Sequence, residues 1–347
     1  MLIVFCKQSS TLSLCTAADS NSGDKNMKTH NRAPTIDELL VEHQESHGTV
    51  PIGELLEFHT DLPNSGIYNP FAPFEHNGQL RIPVRLDPPG SEDGSTHFFQ
   101  RNGSPVSWDY DADLPELPWQ DPFHAQIGDK WYFGGVRTYK DPGGRIYDWD
   151  TQIVEVANPD ELNLLPEPVI TGPARMKGLR PLGLDDELAG MITRPIDDRY
   201  PRGKVGYLAL RNASEATPEA LANALIVDGY IAHEIGEWGG LGQPKDIGNR
   251  TILATGHLAR FSPDNGREYY GTLVLAQERG KKLAVIAQKI VACRQCFPTT
   301  PAKRVDLHNV FYMTGEYENF AYGGLSDFGS GRISIAEDIE EMQQLAA

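Results

Sequence analysis

Cysteine, long apolar runs, helical periodicity and positive charge are all scarce in this 347-residue chain, and each scarcity excludes something. Four cysteines are too few for a disulfide scaffold. Cys293 and Cys296 make one Cys-x-x-Cys pair without the two further ligands of a zinc site, and Cys6 and Cys15 fall in a polar head. Free thiols and no metal are expected. The apolar run at the start ends at Lys7, short of a secretory signal, and no other stretch approaches a membrane span. With 31 Lys and Arg against 48 Asp and Glu, the net charge of −17 repels nucleic acid and anionic membranes at long range. The expectation is a cytoplasmic protein with residues 1–30 a disordered extension and 31–347 a single domain, with room for a homo-oligomer. Two apparent motifs also fail. His233-Glu234 lacks the second histidine of a zinc-protease helix, and the glycines after Trp238 have no strand–helix context for a dinucleotide.

What the chain does have is 34 glycines and 25 prolines punctuating short alternating runs, the pattern of many small strands. Helical signals are confined to "TIDELLVEH" with a Thr35–Glu38 capping box, "TPEALANAL" from Thr217, and the tail from Ala336. Five segments share one design: a loop with Pro or Gly, a polar group, then two alternating runs. They begin at Tyr68, Gln120, Gly178, Glu237 and Arg304, at intervals of roughly 50–70 residues, the span of one propeller blade with its loops. The spacing predicts an all-β, five-bladed β-propeller with a few peripheral helices, its sheets antiparallel around a channel. The strand "GELLEFHT" (53–60) would close the ring on the last blade. A β-sandwich or a two-domain β protein is the alternative. In a propeller the first strand of each blade lines the channel, so the five loops converge at one end.

The polar residues near those starts are Asn69, Arg85, Asp121, Arg137, Lys177, Arg180, Arg194, His257, His308 and Asp327. The set is strongly basic in an acidic protein, which points to a bound anion, and guanidinium forks and ammonium groups suit phosphate. Taken singly, each Arg reads as a surface residue. Asp121 stands between Gln120 and Pro122, ahead of a hairpin whose turn is Gly128-Asp129. It reads either as a turn residue capping its own loop or as a general acid. The second reading places it among Trp119, Phe123, Trp131 and Phe133, where an apolar pocket would help it to hold a proton. Pro122 is expected to keep its backbone extended.

The motifs "YNPFAPF", "WQDPF", "KGLRP", "ATGHLARF" and "YGGLSD" together resemble the glycosyltransferase family 108 mannosyltransferase-phosphorylases, relatives of the glycoside hydrolase family 130 β-mannoside phosphorylases. The likeness runs from about residue 50 to 335. It implies Asp121 as the sole proton donor, although Gln120 and Phe123 replace the flanking charges of the family's Glu-Asp-Pro-Arg. It assigns Asn69 to the mannosyl ring and Asp327 to a sugar hydroxyl, with Arg85 and His308 also on the sugar. Arg137, Lys177, Arg180, Arg194 and His257 are the phosphate candidates, by charge as much as by pattern.

The implied reaction is inverting phosphorolysis of β-1,2-mannosides to α-mannose 1-phosphate, with the proton passing through a sugar hydroxyl. The reverse transfer extends an oligomannoside, with GDP-mannose as a further donor. Partners are then a β-mannooligosaccharide and phosphate or mannose 1-phosphate; no cofactor is expected beyond phosphate as co-substrate. Inverting hydrolysis requires a second carboxylate to activate water, whereas phosphate arrives already anionic. One acid and many bases fit the second case. A glycosidase of the same fold would recruit Asp327 or Asp306, and a non-catalytic glycan-binding propeller would tolerate loss of Asp121.

Overall fold

The computed structural model describes residues 32–46, 53–62, 66–88, 91, 93–198, 200–232, 236–262, 266–293, 311–312, 320–325 and 329–347. Helix α1 (Ile36–Ser46) is followed by two short strands, β1 (Glu54–Leu55) and β2 (Glu57–His59). Next come β3 (Gly66–Tyr68), β4 (Phe74–His76), β5 (Gln79–Asp87), β6 (Ser95–Arg101) and β7 (Ser107–Tyr110). A second group is β8 (Gln120–Ile127), β9 (Lys130–Lys140), β10 (Ile146–Val156) and β11 (Ile170–Thr171). The third is β12 (Arg180–Leu184), β13 (Glu187–Thr193), β14 (Gly206–Ala209) and β15 (Leu225–Ile226), with α2 (Pro218–Ala222) before its last strand. The fourth is β16 (Glu237–Asp246), β17 (Thr251–Phe261), β18 (Arg267–Arg279) and β19 (Lys282–Ala292). Strands β20 (Phe311–Tyr312), β21 (Phe320–Leu325) and β22 (Gly329–Ser334) lead into α3 (Ala336–Ala346).

Four sheets have four strands each, and three of these run in plain sequence order from β8, β12 and β16. The fourth takes β1 beside β22, with Glu54 opposite Arg332, so the leading strand closes the last sheet as its sequence predicts. The same stretch then departs from the antiparallel expectation. β2 pairs in parallel with β7, Phe58 opposite Trp108, because a segment crossing from the last sheet to the first arrives running along β7. The first sheet is thus six-stranded, and β3 and β4 both pair with β5, separated by residues 69–73.

The first strands lie next to one another. β8 packs against β5 and β12, β12 against β16, β16 against β20, and β22 meets β3. The arrangement is propeller-like, mostly β with few helices. Its core fills the space between sheets: Ile82, Val84 and Phe99 meet Phe123, Ile153 and Leu179, while Leu182 and Tyr207 meet Trp238, Ile252 and Leu273. Each such side chain stabilises the fold by roughly 1.5–3 kcal/mol on burial.

The helices begin where capping chemistry allows. Thr35 N–H donates to Glu38 at 2.9 Å and Glu38 N–H to Thr35 Oγ1 at 3.2 Å, the reciprocal box expected from sequence. Thr217 likewise accepts from Ala220 N–H at the start of α2. Ile36 and Leu39 carry α1 into the core, and α3 follows with Ile339 and Met342. Among the described residues no helix is long and apolar enough to cross a membrane.

Candidate active site

The loop that delivers Asp121 is stitched to the preceding sheet. Thr96 and Leu117 exchange backbone hydrogen bonds of 3.0 Å, and Thr96 Oγ1 donates to the Trp119 carbonyl at 2.8 Å. β8 then pairs with β9 at Gln120↔Val136 and resumes at Phe123↔Gly134, so Asp121 and Pro122 form a bulge opposite Gly135. Gly135 is required there, since a Cβ would lie 2.6 Å from Trp119 Cβ. Proline, lacking an N–H, is tolerated at such a bulge.

Asp121 is not extended as its neighbouring proline predicts. Its φ is 51°, in the left-handed region, and Asn69, also followed by proline, has φ 44°. The register shift of the bulge and the break between β3 and β4 override the pre-proline preference. Apart from glycine, Asp and Asn are the residues that bear this conformation most readily, and its cost of order 1–3 kcal/mol is the kind found at functional sites.

The two strained residues face each other. Asn69 Nδ2 donates to Asp121 Oδ1 at 2.6 Å, Arg85 Nη1 donates to the same oxygen at 3.2 Å, and Lys177 Nζ approaches Oδ2 at 3.3 Å. The first sheet, the second sheet and the loop before β12 therefore meet on one carboxylate. This corrects the expectation of an apolar nest. Trp131 and Phe133 pack instead with Phe74 around His124, three residues further along β8. The shift follows from the bulge, which separates Asp121 from the regular alternation of β8.

Arg85 is held from behind. Asp87 accepts from its Nε at 2.6 Å and its Nη2 at 2.9 Å, a two-point clamp. Burial disfavours the Arg85 charge, but Asp121 and Asp87 more than offset it, so its pKa stands above the ordinary value. Arg180 is buried, with its guanidinium 4.2 Å from the Phe123 ring centre and 5.5 Å from that of Phe71. Burial pushes its pKa down to about 10, Asp121 working against this and Arg194 adding to it.

Of the residues expected from sequence, Asn69, Arg85, Asp121 and Lys177 are joined directly, with Arg180 near enough to feel Asp121. Arg194 passes under the same loop, its Cδ 3.7 Å from where a Gly178 Cβ would sit. Arg137 reaches Gln152 at 3.4 Å and Tyr139. His257 is buried within β17, beside Gly240 and Tyr269. His308, Asp327 and Asp306 lie outside the described residues. Sequence reasoning missed Asp87, although Arg85-Leu86-Asp87 places both charges on one face of a strand. It also missed Phe71 and Phe123 as the platform under Arg180.

Among the described residues no three His, Cys, Asp or Glu side chains converge as metal ligands would. A cavity of about 690 Å³ lies beyond Arg180, towards the opposite ends of β8 and β12, lined by Phe74, Gln126, Trp131, Gln243 and Lys245 among others.

The architecture has solved counterparts. MPT-4, a mannose phosphorylase from Leishmania mexicana solved in complex with phosphate ion, superposes with a TM-score of 0.73 at 21% identity, covering 88% of this chain and 94% of that one. MPT-1, a GDP-Man-dependent mannosyltransferase from the same organism, gives 0.71 at 20% identity, covering 87% and 95%. A hypothetical protein from Leishmania major gives 0.70 at 21%, covering 88% and 96%. At such identities the likeness is one of fold. No curated protein matches the chain. Residues 42–341 match the family described as protein of unknown function (DUF1861), and with that span of the sequence inside it, the chain belongs to this family.

Proposed function

We propose that the chain is an inverting β-1,2-mannoside phosphorylase that also runs as a mannosyltransferase, built on a five-bladed propeller that counts the six-stranded first sheet as one of its blades. The carrying observation is the convergence of Asn69, Arg85 and Lys177 on Asp121. The similarity in fold to a mannose phosphorylase and a mannosyltransferase supports the substrate class.

In this reading Asp121 is the general acid and Asn69, with Arg85, His308 and Asp327, orients the sugar. Lys177 and Arg180 are the first choice for phosphate, and Arg137, Arg194 and His257 the further candidates. A phosphate dianion attracts Lys177 and repels the Asp121 carboxylate, which favours the protonated acid. A phosphate oxygen then attacks the anomeric carbon from the face opposite the leaving group. The glycosidic bond breaks, its oxygen takes the proton that Asp121 supplies, and a β-mannoside yields α-mannose 1-phosphate. Asp87 does not serve as the base of a hydrolase, because both its oxygens are clamped by Arg85 on the Asp121 side. The site calls on no organic cofactor.

Incubation with β-1,2-mannobiose, with and without phosphate, tests the reading. Mannose 1-phosphate formed only with phosphate is the expected result. Free mannose formed equally in both would make the protein a glycosidase, and no turnover in either would favour a binding propeller.

A further inference from the structure

The end of the strands opposite Asp121 is built from hairpin turns, and the proposed reaction does not use it. The turns after β4, β8, β12 and β16 gather there around the cavity of about 690 Å³. They are joined to one another. A Cβ on Gly128 would stand 2.8 Å from the Asp186 carbonyl oxygen, so the second and third turns touch. Asp185 N–H donates to Asp246 Oδ2 at 2.8 Å, tying the third turn to the fourth, and Gly248 N–H donates to Oδ1 at 2.8 Å. Asn77, Asp185 and Asp186 carry the positive φ that tight hairpins require. The rim is therefore fixed largely by backbone.

The cavity is separate from the catalytic mouth. Phe71 and Arg180 line it, whereas Asn69, Arg85, Asp121 and Lys177 do not. Gln126, on its wall, lies further along β8 than Asp121, by roughly 15 Å at the rise of a strand.

Its chemistry differs as well. The charged lining is balanced, with Glu75, Asp186 and Asp246 against Arg101, Arg180 and Lys245. A phosphate or a cation entering it gains no net attraction, in contrast to the cationic mouth. Trp131 supplies an aromatic wall. Phe133 stacks on it at 5.7 Å with an interplanar angle of 19°, and Phe74 braces it at 5.8 Å. The ring is only half-buried by these neighbours, and the cavity opens beside it. Glu75, Gln126 and Asp186 are exposed, and among the described residues their side chains make no hydrogen bond or ion pair.

We propose that this cavity is a second, non-catalytic binding site, and that its ligand is a neutral oligosaccharide. The volume lies within the roughly 300–1,000 Å³ of small-molecule pockets. A pyranose ring lays its C–H face on an aromatic ring, and its hydroxyls both donate and accept. Carboxylates that only accept, and an amide that does both, match those hydroxyls without demanding a charge on the ligand. The ligand class follows from the cavity alone; the choice of a mannoside as probe rests on the reading of the Asp121 mouth.

The experiment is calorimetric titration of the full chain with β-1,2-mannotriose in the absence of phosphate. Wild type is compared with Trp131→Phe and with the Glu75→Ala/Gln126→Ala double variant, whose exposed side chains can be removed without opening the core. Circular dichroism checks folding. Wild type is expected to bind two trisaccharides per chain. The double variant should lose one of them or bind it at least tenfold more weakly, the loss of a charge-assisted contact and an amide contact. Trp131→Phe should weaken the same event and abolish its change in tryptophan fluorescence. Phosphorolysis of β-1,2-mannobiose should be unchanged in the double variant. A folded double variant that binds the trisaccharide with the stoichiometry and affinity of wild type overturns the proposal, as does a wild type that binds none. If wild type turns over mannobiose in phosphate while the double variant binds as wild type does, only the second site fails. If the double variant loses a bound trisaccharide while wild type shows no phosphorolysis, the second site stands and the catalytic reading fails.

Discussion

Arg81 and Arg85 stand four residues apart on the same face of β5, yet they have opposite surroundings. Arg81 is buried, its Nε bonded to the equally buried Asp111 and its Nη1 to the His76 carbonyl. Arg85 is shared between Asp87, which clamps it, and Asp121, which it reaches with one remaining nitrogen. β8 repeats the contrast: His124 is buried among aromatic rings with Nε2 donating to the Ala72 carbonyl, whereas Asp121 sits among cations. At one end of these strands polar groups are closed off in pairs. At the other a carboxylate is held by donors that an incoming anion can recruit. The difference teaches that a buried charge with a complete partner set is architecture, while strained backbone and shared partners mark the site.

The comparison breaks first at Arg81. Arg81→Met leaves Asp111 charged and unpaired in the interior, and urea unfolding should show a loss of about 3–5 kcal/mol. Arg85→Met uncovers Asp87, which is nearly as buried as Asp111. The loss should still be smaller, because Arg85 itself is less buried than Arg81 and Asp121 keeps Asn69 and Lys177. Equal losses would erase the distinction.

The next largest effect is pH-dependent. Burial pushes the His124 pKa down to about 4, below its ordinary 6.5. The unfolded chain therefore takes up a proton first as the pH falls. The stability tied to neutral His124 is complete above pH 6.5 and is lost between 6.5 and about 4, by on the order of 3 kcal/mol. Stability should fall more steeply with pH across this window for wild type than for His124→Asn, and identical pH dependences would show that His124 is not held neutral.

Smallest is the effect at Lys177, which is 39% exposed and contacts Asp121 from the solvent side. Lys177→Ala should fold normally and raise the phosphate concentration for half-maximal rate by roughly tenfold, the loss of one charge-assisted contact. An unchanged phosphate requirement, together with an unchanged one in Arg180→Ala, would remove the phosphate assignment.

Much of this architecture was legible because it follows from local chemistry. The segment starts at Gln120, Gly178 and Glu237 fall at or just before the first strands β8, β12 and β16, and Tyr68 ends β3. The Thr35 box and the Gly128 turn are local rules as well. The site was legible as a set of residue types but not as a geometry. Asp121 and Asn69 adopt positive φ because of a register shift and a strand break, both set by pairing partners distant in sequence. The cationic hold on Asp121 joins residues 52, 36 and 56 positions away, which no periodicity announces. The parallel β2 was illegible for the same reason, since three residues carry no sign of which strand they will join.

The central claim is that the convergence on Asp121 positions a proton donor. Asp121→Asn keeps the side-chain shape and an oxygen for Asn69, but cannot deliver a proton. Turnover of β-1,2-mannobiose in phosphate should fall by roughly a hundredfold or more, with the circular dichroism spectrum and mannoside binding retained. A folded Asp121→Asn protein working at the wild-type rate would make Asp121 a turn residue, and one that fails to fold would make it a structural tie; either result contradicts the account.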